Sequence, residues 1–241
     1  MKKLIYLIAL VPFLLFSQSD ESILLNMSKI TVKMGHDAQF AEGVKMYKKC
    51  YKENDGDGNW NSWKRVQGKG NVYIFTDAMK NWAEMDDSSD PAGKACRNII
   101  VNFVRPHIKS IDYNIASSMP KISREPMQDA KLVWVTFFKV KNGTAFNEVV
   151  NEVSIALKKI EGSERGFWYN VVGGGAYMAD YFVSTPFTKF ADLDTDVDSV
   201  WKVYEKVNGK KKTDAARAKF RASVLDVWSY MYSLKEELSM Q

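Results

Sequence analysis

WKRVQGKGNVYIFTDAMKNWAEMD, residues Trp63–Asp86, has a near-echo about a hundred residues later in YNVVGGGAYMADYFVSTPFTKFADLD, residues Tyr169–Asp194. A shift of 106 puts Trp63 on Tyr169 and Gly68 on Gly174. Beyond the glycines the shift becomes 108, and Tyr73 meets Tyr181, Phe75 meets Val183 and Trp82 meets Phe190. Upstream, the shift of 106 also carries Phe40, Val44, Tyr47 and Tyr51 onto Phe146, Val150, Val153 and Leu157. Those spacings, i, i+4, i+7 and i+11, trace one apolar face of a helix. Matches in order through one small gap point to an internal duplication.

Each copy reads alike. An extended segment comes first (23–34 and 131–140), and KLVWVTFFKV in the second copy is apolar on both faces, so both faces of its sheet should be covered. A helix follows, about 37–51 and 144–160. Two strands then flank Gly68-Lys69-Gly70 or Gly173-Gly174-Gly175 as a hairpin requires. A second helix opens in the first copy at Ser89-Asp90-Pro91, a capping residue with proline in the first turn, and ends near Arg105-Pro106. A last strand closes each unit, about 110–117 and 228–234. In the second copy two helical pieces are expected between Asp194 and Trp228, split at Asn208-Gly209 and restarting at Thr213-Asp214, with Lys210-Lys211-Lys212 in a solvated loop. The order is β-α-β-β-α-β twice, the ferredoxin-like plan. The chain thus divides into residues 1–17, a first unit 22–118, a linker 119–129 carrying Pro120 and Pro126, and a second unit 130–241.

The first 17 residues read as an export signal. Met1-Lys2-Lys3 is positive, Leu4 to Phe16 lacks charge, and Ser17-Gln18-Ser19-Asp20 turns polar. The apolar run falls short of the ~20 residues that span a bilayer. Cleavage after Ser17 is expected, with a mature protein of bacterial type in the periplasm or outside the cell and no stable membrane insertion. The formal charge of +5 falls to +3 once Lys2 and Lys3 are removed, and the basic residues are spread out, which excludes nucleic acid as a partner. A hydrophobic fraction of 46% is enough for a sizeable core.

Element order and repetition resemble the dimeric α+β barrel superfamily, which includes antibiotic-biosynthesis-type monooxygenases, muconolactone-isomerase-like proteins, and haem- and chlorite-degrading enzymes. The resemblance implies an α+β fold of two tandem ferredoxin-like units packed sheet to sheet as a pseudo-dimeric barrel within one chain, a monomer able to assemble further. It carries no catalytic motif, and fold does not imply function.

Chemistry-bearing residues are few. His107 is the candidate for a haem-ligating histidine, against the plainer reading of a surface or capping residue, and neither His36 nor His107 has a counterpart in the second copy. No cofactor is expected. Asn54 to Asn59 resembles a calcium loop, but counted from Asp55 it lacks glycine at the sixth place and has Val66 at the twelfth, so a turn is expected and no metal. The glycine runs lead into strands rather than a helix N-terminus, which excludes a phosphate cradle. Asp86 and Asp194 are read as helix caps. Asp180, within an otherwise apolar expected strand from Tyr177 to Val183, is either a buried proton acceptor or a residue facing an edge or solvent.

The aromatics remain: seven Trp, eleven Tyr and thirteen Phe. Between two sheets they can line a pocket, and Trp63, Tyr73, Trp134, Tyr169 and Tyr181 are the candidates, with Asn26 and Ser28 supplying polarity. Each has simple packing as its alternative. A single, unsymmetric site walled by Trp63, Tyr73 and Tyr181 is expected. The first reading is a noncatalytic, exported binding protein for a small apolar or aromatic ligand. The alternatives are a cofactor-independent monooxygenase or isomerase, or a structural, partner-binding protein. Cys50 near the end of the first helix and Cys96 near the start of the second should lie close if those helices run antiparallel on one face. An oxidising compartment would then permit a disulfide, free buried thiols being the alternative.

Overall fold

The computed structural model describes residues 21–86, 89–127 and 129–241; the expected leader lies outside them. In the first half, β1 (Leu24–Val32) leads into α1 (Asp37–Glu53), then β2 (Asn61–Arg65) and β3 (Asn71–Met79). A short helix, α2 (Pro91–Ala95), passes through irregular helical turns to His107, and β4 (Ile108–Ser118) follows. The second half repeats the order with β5 (Leu132–Val140), α3 (Gly143–Glu161), β6 (Phe167–Gly173), β7 (Tyr181–Phe187), α4 (Val200–Ser223) and β8 (Val224–Leu234).

The eight strands close into one barrel in the order β1-β3-β2-β8-β5-β7-β6-β4. Each half supplies four antiparallel strands, β4-β1-β3-β2 and β8-β5-β7-β6. Two seams join them. Trp63, Lys64 and Arg65 of β2 pair with Leu234, Ser233 and Tyr232 of β8, and β4 pairs with β6 from Ile115 to Ser118. Closure satisfies the backbone groups an open edge would expose. The halves therefore meet strand to strand, and their sheets face each other across an interior space.

Helices cover the outside. Phe40 of α1 is fully buried with Val32, Val44, Tyr73 and Val104, and Phe146 of α3 with Ile122, Phe138 and Val150. Truncating such a core phenylalanine typically costs about 3–5 kcal/mol. Alternate strand residues thus face helices or the barrel interior, so both faces of each sheet are apolar. Ile122 is buried and Met119 packs beside it, which makes the start of the linker part of the second half's core.

Several local expectations are corrected. Lys210-Lys211-Lys212 lie in α4 rather than in a loop, because the helix resumes directly after Gly209. Gly209, with φ 77° and ψ 162°, makes the break, and Lys210 pairs with Asp214 at 2.8 Å one turn on. Asp86 and Asp194 follow or end short 3-10 turns; they do not cap the helices that come next, whose N-caps are Asp90 and Ser199, nor the starts of those turns. Those hydrogen bonds go instead to Asn81, which accepts from Ala83 N, and to Asp192, which accepts from Thr188 N, Thr188 Oγ1 and Lys189 N. Asp90 does cap α2, accepting from Gly93 N at 2.8 Å.

Cys50 and Cys96 are bonded, with their Cα atoms 5.9 Å apart. The bond ties the last turns of α1 to the end of α2. Across 46 residues of separation, the chain-entropy model puts its stabilisation at about 4 kcal/mol.

Candidate functional site

The barrel interior is a chamber of about 460 Å³. Its walls follow from strand alternation. Val133, Val135 and Phe137 of β5 point inward, as do Trp228, Tyr230 and Tyr232 of β8, Ile74 and Thr76 of β3, and Trp63 and Arg65 of β2. Stacked rings dominate one side. Phe137 lies on Trp228 at 5.6 Å between centroids, and Tyr169 on Phe182 at 4.7 Å. The volume falls in the range of roughly 300–1,000 Å³ typical of small-molecule sites.

Polar groups in the chamber are few. Trp63 Nε1 donates to Thr76 Oγ1 at 3.3 Å. Lys29 is paired with Asp112 at 2.9 Å. The Arg65 guanidinium sits 4.6 Å from the centre of the Tyr230 ring and donates to Lys69 O. Asn114, only 4% exposed, turns its amide to the chamber beneath the loop after β6. A Cβ at Gly174 would fall 2.3 Å from Asn114 Oδ1, so only glycine lets that loop cross so closely. Burial pushes the Tyr169 phenol up to about 12 and raises Tyr232 as well. These two phenols are therefore neutral donors at ordinary pH, and neither a histidine nor a carboxylate lines the chamber among the described residues.

The five aromatic candidates separate by strand face. Trp63 and Tyr169 line the chamber. Tyr73, Tyr181 and Trp134 do not. Tyr73 packs on Phe40 under α1 and donates to Asp37 Oδ1 at 3.0 Å. Tyr181 stacks on Phe146 under α3 and accepts from Asn147 Nδ2 at 3.0 Å. Trp134 lies between the inward Val133 and Val135 and is 39% exposed on the outer face. Asn26 and Ser28 are likewise outward, since Leu25, Met27 and Lys29 of the same strand face in, and Asn26 reaches Asp77 at 3.5 Å. The expected wall of Trp63, Tyr73 and Tyr181 is thus corrected to one drawn from alternate positions. Phe137, Trp228, Tyr230, Tyr232 and Asn114 were missed; β8 read as a closing strand, and nothing local marks its inner face.

Asp180 accepts from Lys139 Nζ at 2.9 Å and Val140 N at 2.7 Å, an ion pair outside the chamber. His36 Nδ1 and His107 Nδ1 lie 2.8 Å apart where α1 and β4 begin, and neither lines the chamber. Among the described residues no cluster of three or more His, Cys, Asp or Glu is arranged to hold a metal, and no helix is long and apolar enough to cross a membrane.

No family model matches the sequence, and no curated protein does. Solved structures match through the fold. A putative monooxygenase from Lactobacillus acidophilus NCFM has a TM-score of 0.53 at 9% identity, covering 91% of this chain and 99% of that one. A mutant chlorite dismutase from Candidatus Nitrospira defluvii in complex with cyanide scores 0.53 at 9% identity, covering 92% and 93%. An anthrone oxidase-like protein scores 0.51 at 11% identity, covering 90% and 93%. The fold is that of the dimeric α+β barrels.

Chlorite dismutases among these neighbours overturn the expectation of no cofactor, because with them the fold points to haem. The donors in this chain were tested against that group. Histidine and cysteine, two of the usual axial ligands, are absent from the chamber lining. The sulfurs present are the thioethers of Met27, Met127 and Met178. A tyrosine ligand would have to lose the proton that burial holds on Tyr169 up to about 12. The cavity outside the second half's sheet contains no histidine, cysteine, methionine or tyrosine. Among the described residues, neither lining offers the histidine or cysteine ligand that haem usually takes, and to that extent these two cavities do not fit it.

Proposed function

We propose that the chamber takes a small, planar, mainly aromatic molecule and that the protein acts on it as a monooxygenase-type enzyme. The observation that carries this reading is the chamber of about 460 Å³ inside the barrel, with stacked aromatic walls and few polar groups. Monooxygenase-like and anthrone oxidase-like proteins among the fold neighbours support the reaction class. The chain's own part is to bind, orient and exclude water. Flat rings stack against Trp63 and Tyr169, while the Asn114 amide and the Thr76 hydroxyl hydrogen-bond a ring oxygen. A dry, aromatic enclosure holds a reactive substrate in one pose and keeps water from its oxidised product.

A binding role without chemistry is the second reading. It is favoured by the lack of a histidine or carboxylate in the lining and by two cations already engaged, Lys29 with Asp112 and Arg65 with Tyr230. Anthrone as the probe separates the two. Oxygen uptake and conversion of anthrone to anthraquinone, which gains one oxygen and loses two hydrogens while the second oxygen atom leaves as water, support the enzyme, whereas saturable quenching of protein fluorescence without uptake leaves the binding protein. Absence of both rules out this chamber for such ligands.

We further read the two halves as copies of one ancestral unit, supported by their common element order and by Phe40 and Phe146 occupying like positions. The polypeptide is exported by residues 1–17 and works as a monomer outside the cytoplasm, its barrel being closed by one chain.

A further inference from the structure

Outside the barrel, between α3, α4 and the outer face of the second half's sheet, lies a cavity of about 680 Å³. Its walls are apolar: Val153 and Leu157 from α3, Phe138 and Trp168 from the sheet, Trp201 from α4. The charged groups of its lining, Arg124, Glu161, Glu164 and Arg165, gather at one end, where α3 stops and the chain turns into β6. There Arg124 N donates to Gly166 O, which fixes the start of the linker against that turn.

The charges at this end do not balance internally. Arg165 is spent on Glu161, with Nε to Oε2 at 2.9 Å and Nη2 to Oε1 at 2.5 Å, and it also donates to Asp198 O at 2.7 Å. Glu164, nearly buried, pairs with Lys158 at 3.4 Å. Arg124 is left over: its Nε is shut off from solvent with no hydrogen-bond partner among the described residues. A buried donor on a cation without a partner costs stability, and an anion supplies both the charge and the acceptor. Apolar walls ending in one unmatched guanidinium describe a site for an amphiphile with an anionic head.

We propose that this cavity is a second binding site, independent of the barrel chamber, for a small apolar carboxylate. The head meets Arg124, and the apolar part lies along Leu157, Trp168 and Trp201. The ligand is a straight-chain or an aromatic acid, since both present the same head to the same walls.

Isothermal titration of the full mature chain with laurate and with 2-naphthoate, each beside its uncharged analogue dodecanol or 2-naphthol, tests this. At least one acid should bind with 1:1 stoichiometry and at least tenfold more tightly than its analogue, and which acid does so distinguishes the two sources. Arg124→Gln should weaken that acid at least tenfold and Arg124→Lys less. Val153→Trp, filling the slot from a half-buried position, should abolish binding. Arg65→Gln, which removes one of the two cations of the barrel chamber, should leave it unchanged. Binding lost with Arg65→Gln instead, equal affinity for acid and analogue, or no binding of either acid overturns the proposal.

Discussion

The Tyr73 hydroxyl donates to Asp37 Oδ1 at 3.0 Å, so a strand of the barrel is bonded to the first turn of the helix that covers it. Lys64 Nζ closes on the other oxygen of the same carboxylate at 2.5 Å. Tyr181 makes the corresponding link to Asn147 in the second half. These phenols hold helices on the sheet. Tyr73→Phe should therefore cost about 1 kcal/mol of stability in denaturant unfolding. Affinity for an aromatic chamber ligand should stay within twofold, as it should for Tyr181→Phe. A tenfold loss of affinity in either variant would place the ring in the site after all.

Trp63 and Tyr169 face the other way. Trp63→Ala should lower the affinity for a flat aromatic probe such as anthrone about tenfold or more, because stacking area and the indole donor to Thr76 disappear together. Trp63→Phe should recover part of that loss. Equal affinities for the three proteins, measured by fluorescence titration, would remove the chamber from the binding reading.

The Asn114–Gly174 contact predicts a sharp steric effect. With Cβ only 2.3 Å from Asn114 Oδ1, Gly174→Ala must displace either the loop or the amide. Destabilisation of about 1–3 kcal/mol is expected. The double variant Gly174→Ala/Asn114→Ala should regain much of it. Additive losses in that cycle would mean that the two residues do not interact.

Stability should fall in alkali. Burial raises the folded-state pKa of Tyr169 from 10 to about 12, so between those values the unfolded chain loses a proton that the folded chain keeps. The neutral phenol's contribution is complete below pH 10 and is lost as pH rises toward 12. Tyr232, also raised by burial, adds in the same direction. Denaturant midpoints at pH 8, 10 and 11 should drop mainly across the last interval, and Tyr169→Phe should flatten the drop.

Reduction should act through the outer layer. Intact-mass analysis after alkylation should detect no free thiol before reduction and two after it. The Cys50→Ser/Cys96→Ser protein should lose up to about 4 kcal/mol, with opening concentrated in α1 and α2 by hydrogen exchange. N-terminal sequencing of exported material should begin near Gln18.

Much of the fold was legible because the two halves of the sequence carry matching apolar spacings, so each signal is met twice. Phe40 and Phe146 were paired by spacing alone, and both prove fully buried under their helices. Gly209 marked the break in α4 by its conformational freedom. The lysines after it were misplaced because polar residues suit an exposed helix as well as a loop. The short turns around Asp86 and Asp194 misled for a related reason: a carboxylate near a turn gives no indication whether it caps that turn or trails it.

The candidate site was legible in composition but not in direction. In β3, Tyr73 and Phe75 alternate with Ile74 and Thr76, and in β5 Trp134 and Phe138 alternate with Val135 and Phe137. Sequence by itself determined that both faces of these strands would be covered, since both carry apolar residues, and that the order of elements recurs in the second half. Only the tertiary structure decided which face meets a helix and which lines the chamber. That choice is made where β2 joins β8 and β4 joins β6, pairings 170 or more residues apart for Trp63 and Leu234, and about fifty for Ser118 and Tyr169. A period of two residues is the same seen from either side, so only barrel closure gives a strand its inside.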